Sequence, residues 1–317
     1  MNSTCCIIVT YNRKELFLRC IEAVLGQTSK PLALFIVDNA CTDGTKDEFT
    51  RKYDLLNPSD NECCFIGNIT DIECYYYRSI DNKGGAGGFS LGLRLAHQQN
   101  RYEAFWMMDD DGYPSKDCLK QQLIYSEKYD YVMPVSIDIE NSLQMSWPTV
   151  LKNGGKSLLY KDVCTSWGSV MDYVYPFNGS LLSKKIVDEV GYINKDFFIW
   201  GDEYEHYWRC KKQGFHPVTI TNAIFYHPAN KMSFVPILFG FIKVPFSESK
   251  IRMVCLARNY TYIYWNYDNK MKIVYKLFIY TWLYLITRKL DISGYKLYIN
   301  SVLDGLKGDF TRHLNYL

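Results

Sequence analysis

The segment Phe105-Trp106-Met107-Met108-Asp109-Asp110-Asp111-Gly112 joins a short apolar run to three consecutive carboxylates and a glycine. A run of this length and character predicts a buried strand, which would carry negative charge to the edge of a sheet, where a ligand can reach it. Side chains alternate along an extended backbone, so Asp109 and Asp111 are expected on one side and Asp110 on the other. Carboxylates in that spacing suit a divalent cation: Mg²⁺ or Mn²⁺ prefers oxygen ligands, and Mg²⁺ usually takes one or two from protein while substrate phosphates fill other positions. A solvated acidic turn is the plainer alternative, and the surrounding sequence decides between them.

Upstream, Thr4–Thr10 is a continuous apolar run rich in β-branched residues, as expected of a strand covered on both faces. From Lys14 to Gln27, Leu16, Phe17, Cys20, Ile21, Val24 and Leu25 recur at intervals of three and four, the pattern of an amphipathic helix. A second apolar run, Leu32–Val37, ends in Asp38-Asn39, and a third, Ile72–Arg78, ends in polar residues, which makes the acidic strand the fourth. This alternation predicts an α/β fold: a mostly parallel, Rossmann-like central sheet flanked by helices, binding ligand at the carboxyl ends of its strands.

Ahead of the acidic strand lies Asn82-Lys83-Gly84-Gly85-Ala86-Gly87-Gly88-Phe89, followed by a helix expected over 89–98. Glycines at 84, 85 and 87 let backbone come close to a ligand, and the helix offers its positive end to an anion. Approach of a phosphate or sugar is one reading; a tight turn packing helix on sheet is the other. A dinucleotide fingerprint fits poorly, because the segment follows the third strand and not the first.

Downstream, a helix is expected over 115–127 and a strand over Tyr131–Val135. Residues 138–172 are poorly patterned and contain Trp147 and Trp167, rings that either stack on sugar or fill a core. A segment from Tyr173 through Phe177-Asn178-Gly179 leads to a helix over 183–190 that Gly191 stops. A second acidic cluster, Trp200-Gly201-Asp202-Glu203-Tyr204-Glu205, opens another helix, where the dipole favours anions. Arg209 can pair with Glu205 four residues earlier, which leaves Asp202 and Glu203 to a cleft beside Trp200. Partial desolvation there suits a general base, while an ordinary helix cap is the alternative. Val218–Tyr226 reads as a strand ending at His227, whose imidazole suits Mn²⁺.

Beyond Met232, helices are expected over 247–268 and 269–287. Met271–Thr287 is mostly apolar, with Lys270, Lys272 and Lys276 at one end. It reads as a core or dimer-packing helix, which would imply a homo-oligomer, or as a membrane-surface helix, which would imply peripheral contact.

The chain has 317 residues, with 36 Lys and Arg against 34 acids, so its net charge of +2 gives no global field for nucleic acid. Its 11 cysteines show no CxxC spacing, and no signal peptide precedes them, which points to reduced thiols, a cytoplasmic location and no zinc. No apolar segment reaches the ~18 to 20 residues needed to span a bilayer.

Taken in order, Ile7-Ile8-Val9-Thr10-Tyr11-Asn12-Arg13, Val37-Asp38-Asn39 with Thr42-Asp43-Gly44, the acidic strand end, and Trp200-Gly201-Asp202-Glu203 through Arg209 resemble the GT-A glycosyltransferases of family 2. More narrowly, Asn82–Phe89 with Gly92, the aspartate triplet, His227 and Arg258-Asn259-Tyr260 are similar to bacterial galactofuranosyltransferases and related rhamnosyltransferases. The resemblance implies a GT-A domain over residues 1–230, with a nucleotide-sugar half to about 112 and an acceptor half from 113, and a helical, aromatic-rich extension over 231–317. It implies an inverting, metal-dependent enzyme moving galactofuranose from UDP-galactofuranose to a hydroxyl of a growing, often lipid-linked, bacterial surface polysaccharide such as capsule or O-antigen, at the inner face of the plasma membrane. A rhamnosyl or hexopyranosyl transferase is the alternative among enzymes, and a nucleotide-sugar-binding scaffold of an assembly complex the alternative outside them.

It also implies roles. Thr10, Arg13, Asp38, Asn82, Gly84, Gly85, Gly87 and Asp110 would hold the donor. Asp109, Asp111 and His227 would hold Mn²⁺ or Mg²⁺, and Trp147, Trp167, Trp200, Asn178 and Gly179 would shape the acceptor side. Glu203 takes the position of the base; many relatives carry Asp there, so Asp202 stays open as the base instead.

Overall fold

The computed structural model describes residues 3–58, 64–174, 178–229 and 233–317. The Tyr175–Phe177 part of the expected acceptor turn and the expected domain boundary at Asn230 lie outside them. The chain divides into two compact units, Met1–Ile193 with Arg209–Asn230, and Asn194–Trp208 with Lys231–Leu317.

In the first unit, strands β1 (Thr4–Thr10), β2 (Ala33–Asp38), β3 (Cys64–Ile69), β4 (Ile72–Arg78) and β5 (Ala104–Asp109) alternate with helices α1 (Lys14–Leu25), α2 (Thr45–Lys52) and α3 (Gly84–Gln98). There follow β6 (Tyr113–Pro114), α4 (Cys118–Ser126), β7 (Tyr131–Asp138), β8 (Gln144–Val150), β9 (Lys156–Leu159), α5 (Tyr160–Trp167), β10 (Val170–Met171), β11 (Asn178–Ser183) and α6 (Lys184–Val190). Helix α7 (Asp202–Lys212), which belongs to the second unit as far as Trp208, and strand β12 (Val218–His227) come next. The sheet order is β10-β12-β7-β11-β5-β1-β2-β4-β3. Strands β5, β1, β2 and β4 are parallel, with Ile8 opposite Ile36 on one side and Met108 on the other.

Both faces of this parallel core are covered, as the continuous apolar runs require. Cys6 and Ile8 pack with Phe17, Cys20, Ile21 and Val24 of α1. Ile7 and Val9 turn to the other face, where Gly92 and Gly88 bring α3 so close that an added Cβ would stand 2.5 Å from either side chain. The chain runs outward from β1 to β2 and β4, then returns to β5 on β1's other side, so the topological switch point lies between the ends of β1 and β5.

The sheet has the expected parallel core, with antiparallel pairs of β3 with β4 and β11 with β5 beside it. Three expectations need correction. Strand β3 was hidden by its half-exposed edge pattern, so the acidic strand is the fifth and not the fourth. Residues 138–172 hold β8, β9, α5 and β10. Helix α3 also starts at Gly84 and not at Phe89, which puts the glycines inside its first turns.

In the second unit, β13 (Phe234–Ile237) and β14 (Ile242–Pro245) form a hairpin, followed by α8 (Lys250–Asn266), α9 (Met271–Trp282) and α10 (Ile292–Lys307). The last helix was not expected. A core of Ile237, Val244, Met253, Ile273, Tyr280, Leu283, Tyr298 and Val302 joins them. Gly305 lets α10 meet α8 backbone to backbone, since a Cβ there would lie 2.4 Å from the Arg258 carbonyl oxygen. No helix among the described residues is long and apolar enough to cross a membrane.

Candidate functional site

Strand β5 stops at Asp109, and Asp110 and Asp111 belong to the turn that follows. Strand alternation therefore ends before the triplet does. Arg13, just beyond β1, donates from one nitrogen, Nη1, to Asp110 Oδ1 at 3.0 Å and Asp111 Oδ2 at 2.8 Å, so these two acids converge on one guanidinium in place of the opposed directions expected. Thr10 Oγ1 donates to Asp110 Oδ2 at 2.7 Å and the Tyr11 amide to the same oxygen at 3.3 Å. Burial pushes the Asp110 carboxyl up to about 6, against the pull of Arg13 and Thr10. For Asp111, burial also acts to raise the pKa, but the hydrogen bond and charge of His227 together with Arg13 outweigh it and hold the group below the usual carboxylate range.

His227 closes the cluster from the end of β12. Its Nε2 stands 3.3 Å from Asp111 Oδ1. Its Nδ1 lies 2.7 Å from the Pro228 carbonyl, which can only accept, so Nδ1 carries a proton. That leaves Nε2 as the nitrogen directed at the carboxylate. The Trp147 ring packs edge-on to the imidazole at 5.4 Å and fixes its plane. Gly112 is the hinge: a Cβ there would lie 2.3 Å from the Phe225 ring and 2.6 Å from the Tyr226 carbonyl, so only glycine lets the turn lie against β12.

A carboxylate oxygen facing an oriented imidazole nitrogen is a donor pair that fits Mn²⁺. Among the described residues no three His, Cys, Asp or Glu side chains stand together in metal-holding geometry. Two protein ligands accord with a cation completed by substrate phosphates. Asp109 occupies the last position of β5, opposite Val9, and its carbonyl lies 3.9 Å from Cys20 Sγ.

Asp38, at the end of β2, is wholly buried. Its oxygens accept from Tyr76 Oη at 2.5 Å and the Cys41 amide at 2.6 Å, and Arg78 Nε lies 3.8 Å away. Asn12 Oδ1 accepts from the Thr42 amide at 2.7 Å and ties the loop after β1 to that after β2. Arg78 and Asn12 were given no role from the sequence, although Arg78 ends one apolar run and Asn12 lies two residues past another. At the start of α3, the Gly84 amide donates to Asn82 Oδ1, and Asn39 Nδ2 donates to the Gly84 carbonyl. Gly87 lies against Lys83 and Gly88 against Val9, whereas Gly85 has nothing within 4 Å of an added Cβ.

The remaining expected residues of this unit stand in more structural surroundings. Trp167 Nε1 donates to the Val150 carbonyl, and Lys152 lies over its ring. Asn178 and Gly179 form a bulge in β11, with Gly179 at φ +80°. The Gly179 carbonyl accepts from Trp106 Nε1 and Gln122 Nε2 in the core.

In the second unit, the chain ahead of α7 takes left-handed φ values at Phe198 (+66°), Trp200 (+62°) and Gly201 (+88°). Two non-glycine residues in that region are a strain that the surroundings must over-determine. Asn259 Nδ2 does so by donating to the carbonyls of Phe197, Ile199 and Trp200 at 3.0, 3.0 and 2.7 Å. Arg258, also wholly buried, donates from Nη2 to Phe197 O and from Nη1 to Phe310 O. Asp202 is buried at 4% exposure, while Glu203 is half-exposed and accepts from the Gly201 amide at 3.1 Å. Trp200 lies 5.8 Å from the Arg252 guanidinium.

Comparisons with known proteins agree with this architecture. Galactofuranosyltransferase GlfT1 of Mycolicibacterium smegmatis is 26% identical over 97% of this chain and 98% of its own. The solved structure of S. aureus TarS residues 1–349 superposes with a TM-score of 0.57 at 12% identity, covering 98% of this chain and 83% of that one. The mannosyltransferase PcManGT from Pyrobaculum calidifontis, solved with GDP-Man and Mn²⁺, gives 0.50 at 15% identity over 81% of this chain and 61% of its own. The family model for glycosyl transferase family 2 matches residues 5–191, which takes in β1 with Thr10 and Arg13, the glycine-rich start of α3 and the acidic turn; the chain belongs to that family and has its GT-A fold.

Proposed function

We propose that this glycosyltransferase moves galactofuranose from UDP-galactofuranose, with inversion, to a hydroxyl of a growing bacterial surface polysaccharide, working on the inner face of the plasma membrane where a lipid carries the acceptor. The observation that carries the reading is the cluster of Arg13, Asp111 and His227 at the switch point between β1 and β5, where a parallel sheet receives its ligand. Similarity to a galactofuranosyltransferase along nearly the whole chain supports the donor.

In this reading Thr10, Arg13, Asp38, Asp110 and the Asn82–Gly87 segment hold the nucleotide sugar. Asp111 and His227 would hold Mn²⁺ or Mg²⁺, which when bound would neutralise the leaving diphosphate, and Asp109 would add its charge from the end of β5. Trp147, Trp167, Trp200, Asn178 and Gly179 shape the acceptor side. Glu203 takes the proton of the acceptor hydroxyl; the oxygen attacks the anomeric carbon opposite the leaving group, the bond to the diphosphate breaks, and UDP departs. Half-exposure of Glu203 against burial of Asp202 favours Glu203 as the base. The catalytic domain is 1–230 and the extension 231–317.

The test is UDP release from UDP-galactofuranose with Mn²⁺ or Mg²⁺ and a glycan acceptor, beside a panel of other nucleotide sugars. Preference for a rhamnose or hexopyranose nucleotide would move the donor assignment, and binding without release would leave a scaffold. Glu203→Gln should retain nucleotide binding and lose ~10² to 10⁴ in turnover. Near-normal turnover in that variant transfers the role to Asp202.

A further inference from the structure

Helix α9 carries apolar residues on more than one face, yet only one of them is used. Ile273, Tyr280 and Leu283 enter the core of the second unit. On the other side Met271, Val274, Tyr275 and Phe278, at spacings of three and four, are 66, 57, 48 and 56% exposed. The hairpin tip between β13 and β14 extends this surface. Phe239 and Phe241 are 92 and 89% exposed, and the Phe239 ring meets Trp282 of α9 edge-on at 6.0 Å. The tip is also strained, since Leu238 and Phe239 both take left-handed φ values, +48° and +58°. A fold that relies on strain to hold two phenylalanines in water gains nothing from it internally.

Charge says what covers this face. No Asp or Glu occurs from Lys231 to Ser247 or from Asn269 to Leu290, while these stretches hold Lys231, Lys243, Lys270, Lys272, Lys276, Arg288 and Lys289. Lys272 pairs with Asp268 and Arg288 with Glu248 and Asp291, whereas Lys243, Lys270, Lys276 and Lys289 make no ion pair among the described residues. Lys270 Nζ sits 4.0 Å over the half-exposed Trp265 ring. Aromatic and aliphatic residues on one face, with an excess of lysines beside them, match the head-group region of an anionic bilayer.

We propose that the outer face of α9 and the Phe239–Phe241 tip form a docking surface that seats this protein on anionic phospholipid without spanning the membrane. The proposal supplies the surface and lipid chemistry for the membrane location in the functional reading, and it is measured without turnover. Loss of flotation would therefore leave the donor assignment standing, and an inactive protein that floats would leave the docking face standing.

The experiment is flotation of the full chain with vesicles of phosphatidylcholine and phosphatidylglycerol, beside phosphatidylcholine alone. Wild type should float with the anionic vesicles and far less with the neutral ones. The double variants Phe239→Ser with Phe241→Ser, and Met271→Ser with Phe278→Ser, should each lower binding by about tenfold or more with unchanged melting temperatures. Lys270→Gln with Lys276→Gln should lower it by about tenfold on the anionic vesicles alone. Flotation that is absent, or indifferent to all three pairs, overturns the proposal. So does sedimentation showing a wild-type dimer that the same aromatic variants dissociate while no form binds vesicles, because a second copy of the chain would then cover the face.

Discussion

Two acidic clusters each follow an aromatic, apolar segment of this chain, and they are held in different ways. Asp110 and Asp111 are braced by Thr10 and Arg13 from the neighbouring strand end, so sheet register does the positioning and a cation gathers the acids. The turn ahead of Asp202 and Glu203 has left-handed residues, and Asn259, in a helix far along the chain, collects its carbonyls. One cluster is built from side chains on side chains, the other from side chains on backbone. Damage should therefore reach them differently: at the first through charge, with the fold intact, and at the second through local stability before chemistry.

The largest effect is expected where charge carries the function. Asp111→Ala removes the oxygen that faces His227 and should cut metal-dependent UDP release by about 10³ or more, with little change in thermal melting. Full wild-type turnover in excess chelator would remove the metal from the scheme. At the second cluster, Asn259→Ala takes this donor from the Ile199 and Trp200 carbonyls, while Phe197 O keeps Arg258, and should cost about 2 to 3 kcal/mol, read by urea unfolding. A variant as stable as wild type would show that the turn holds itself and would erase the contrast.

The second unit should also answer to acid. Arg258 Nη1 lies 2.9 Å from His313 Nδ1, so this nitrogen must present a lone pair, and the ring is neutral. Burial first, then the Arg258 charge, lowers the His313 pKa from 6.5 to about 4. The unfolded chain takes up the proton near 6.5 and the folded chain only near 4, so stability is full above 6.5 and declines as pH falls through that window. The loss is expected to reach about 2 to 3 kcal/mol, and His313→Gln should flatten that part of the profile. An unchanged slope in the variant would assign acid sensitivity elsewhere.

Much of the first cluster was legible because its supports are strand ends. Continuous apolar runs marked β1, β2, β4 and β5, and each delivers its polar residues to the same edge of the sheet. Residue type alone then suggested Asp111 and His227. The meeting of Asp110 with Arg13 was not legible, because the alternation rule fails once β5 gives way to a turn at Asp110. Strand β3 was missed because an edge strand with mixed exposure has no clean period. The brace on the second cluster was hidden more deeply. Arg258-Asn259-Tyr260 stood out only through resemblance, since its partners are carbonyls, and every residue has one.

The glycine segment offers the smallest effect and the finest division, because α3 contains both kinds of support within four residues. Gly88 is a packing glycine: its added methyl would meet Val9 Cγ1 at 2.5 Å and Asn39 Nδ2 at 3.0 Å, and neither neighbour is the loose end of a long chain. Gly88→Ala should destabilise by about 1 to 3 kcal/mol, and Val9→Ala in the same chain should recover part of that loss. Gly85 has open space around it, so Gly85→Ala should stabilise α3 by up to about 1 kcal/mol through helix propensity. If donor phosphate or sugar comes against this backbone, the same methyl should weaken nucleotide binding severalfold while stability rises. Calorimetric titration with UDP separates the outcomes: weaker binding in a more stable protein assigns Gly85 to the ligand, whereas unchanged binding makes the whole segment a device for packing helix on sheet.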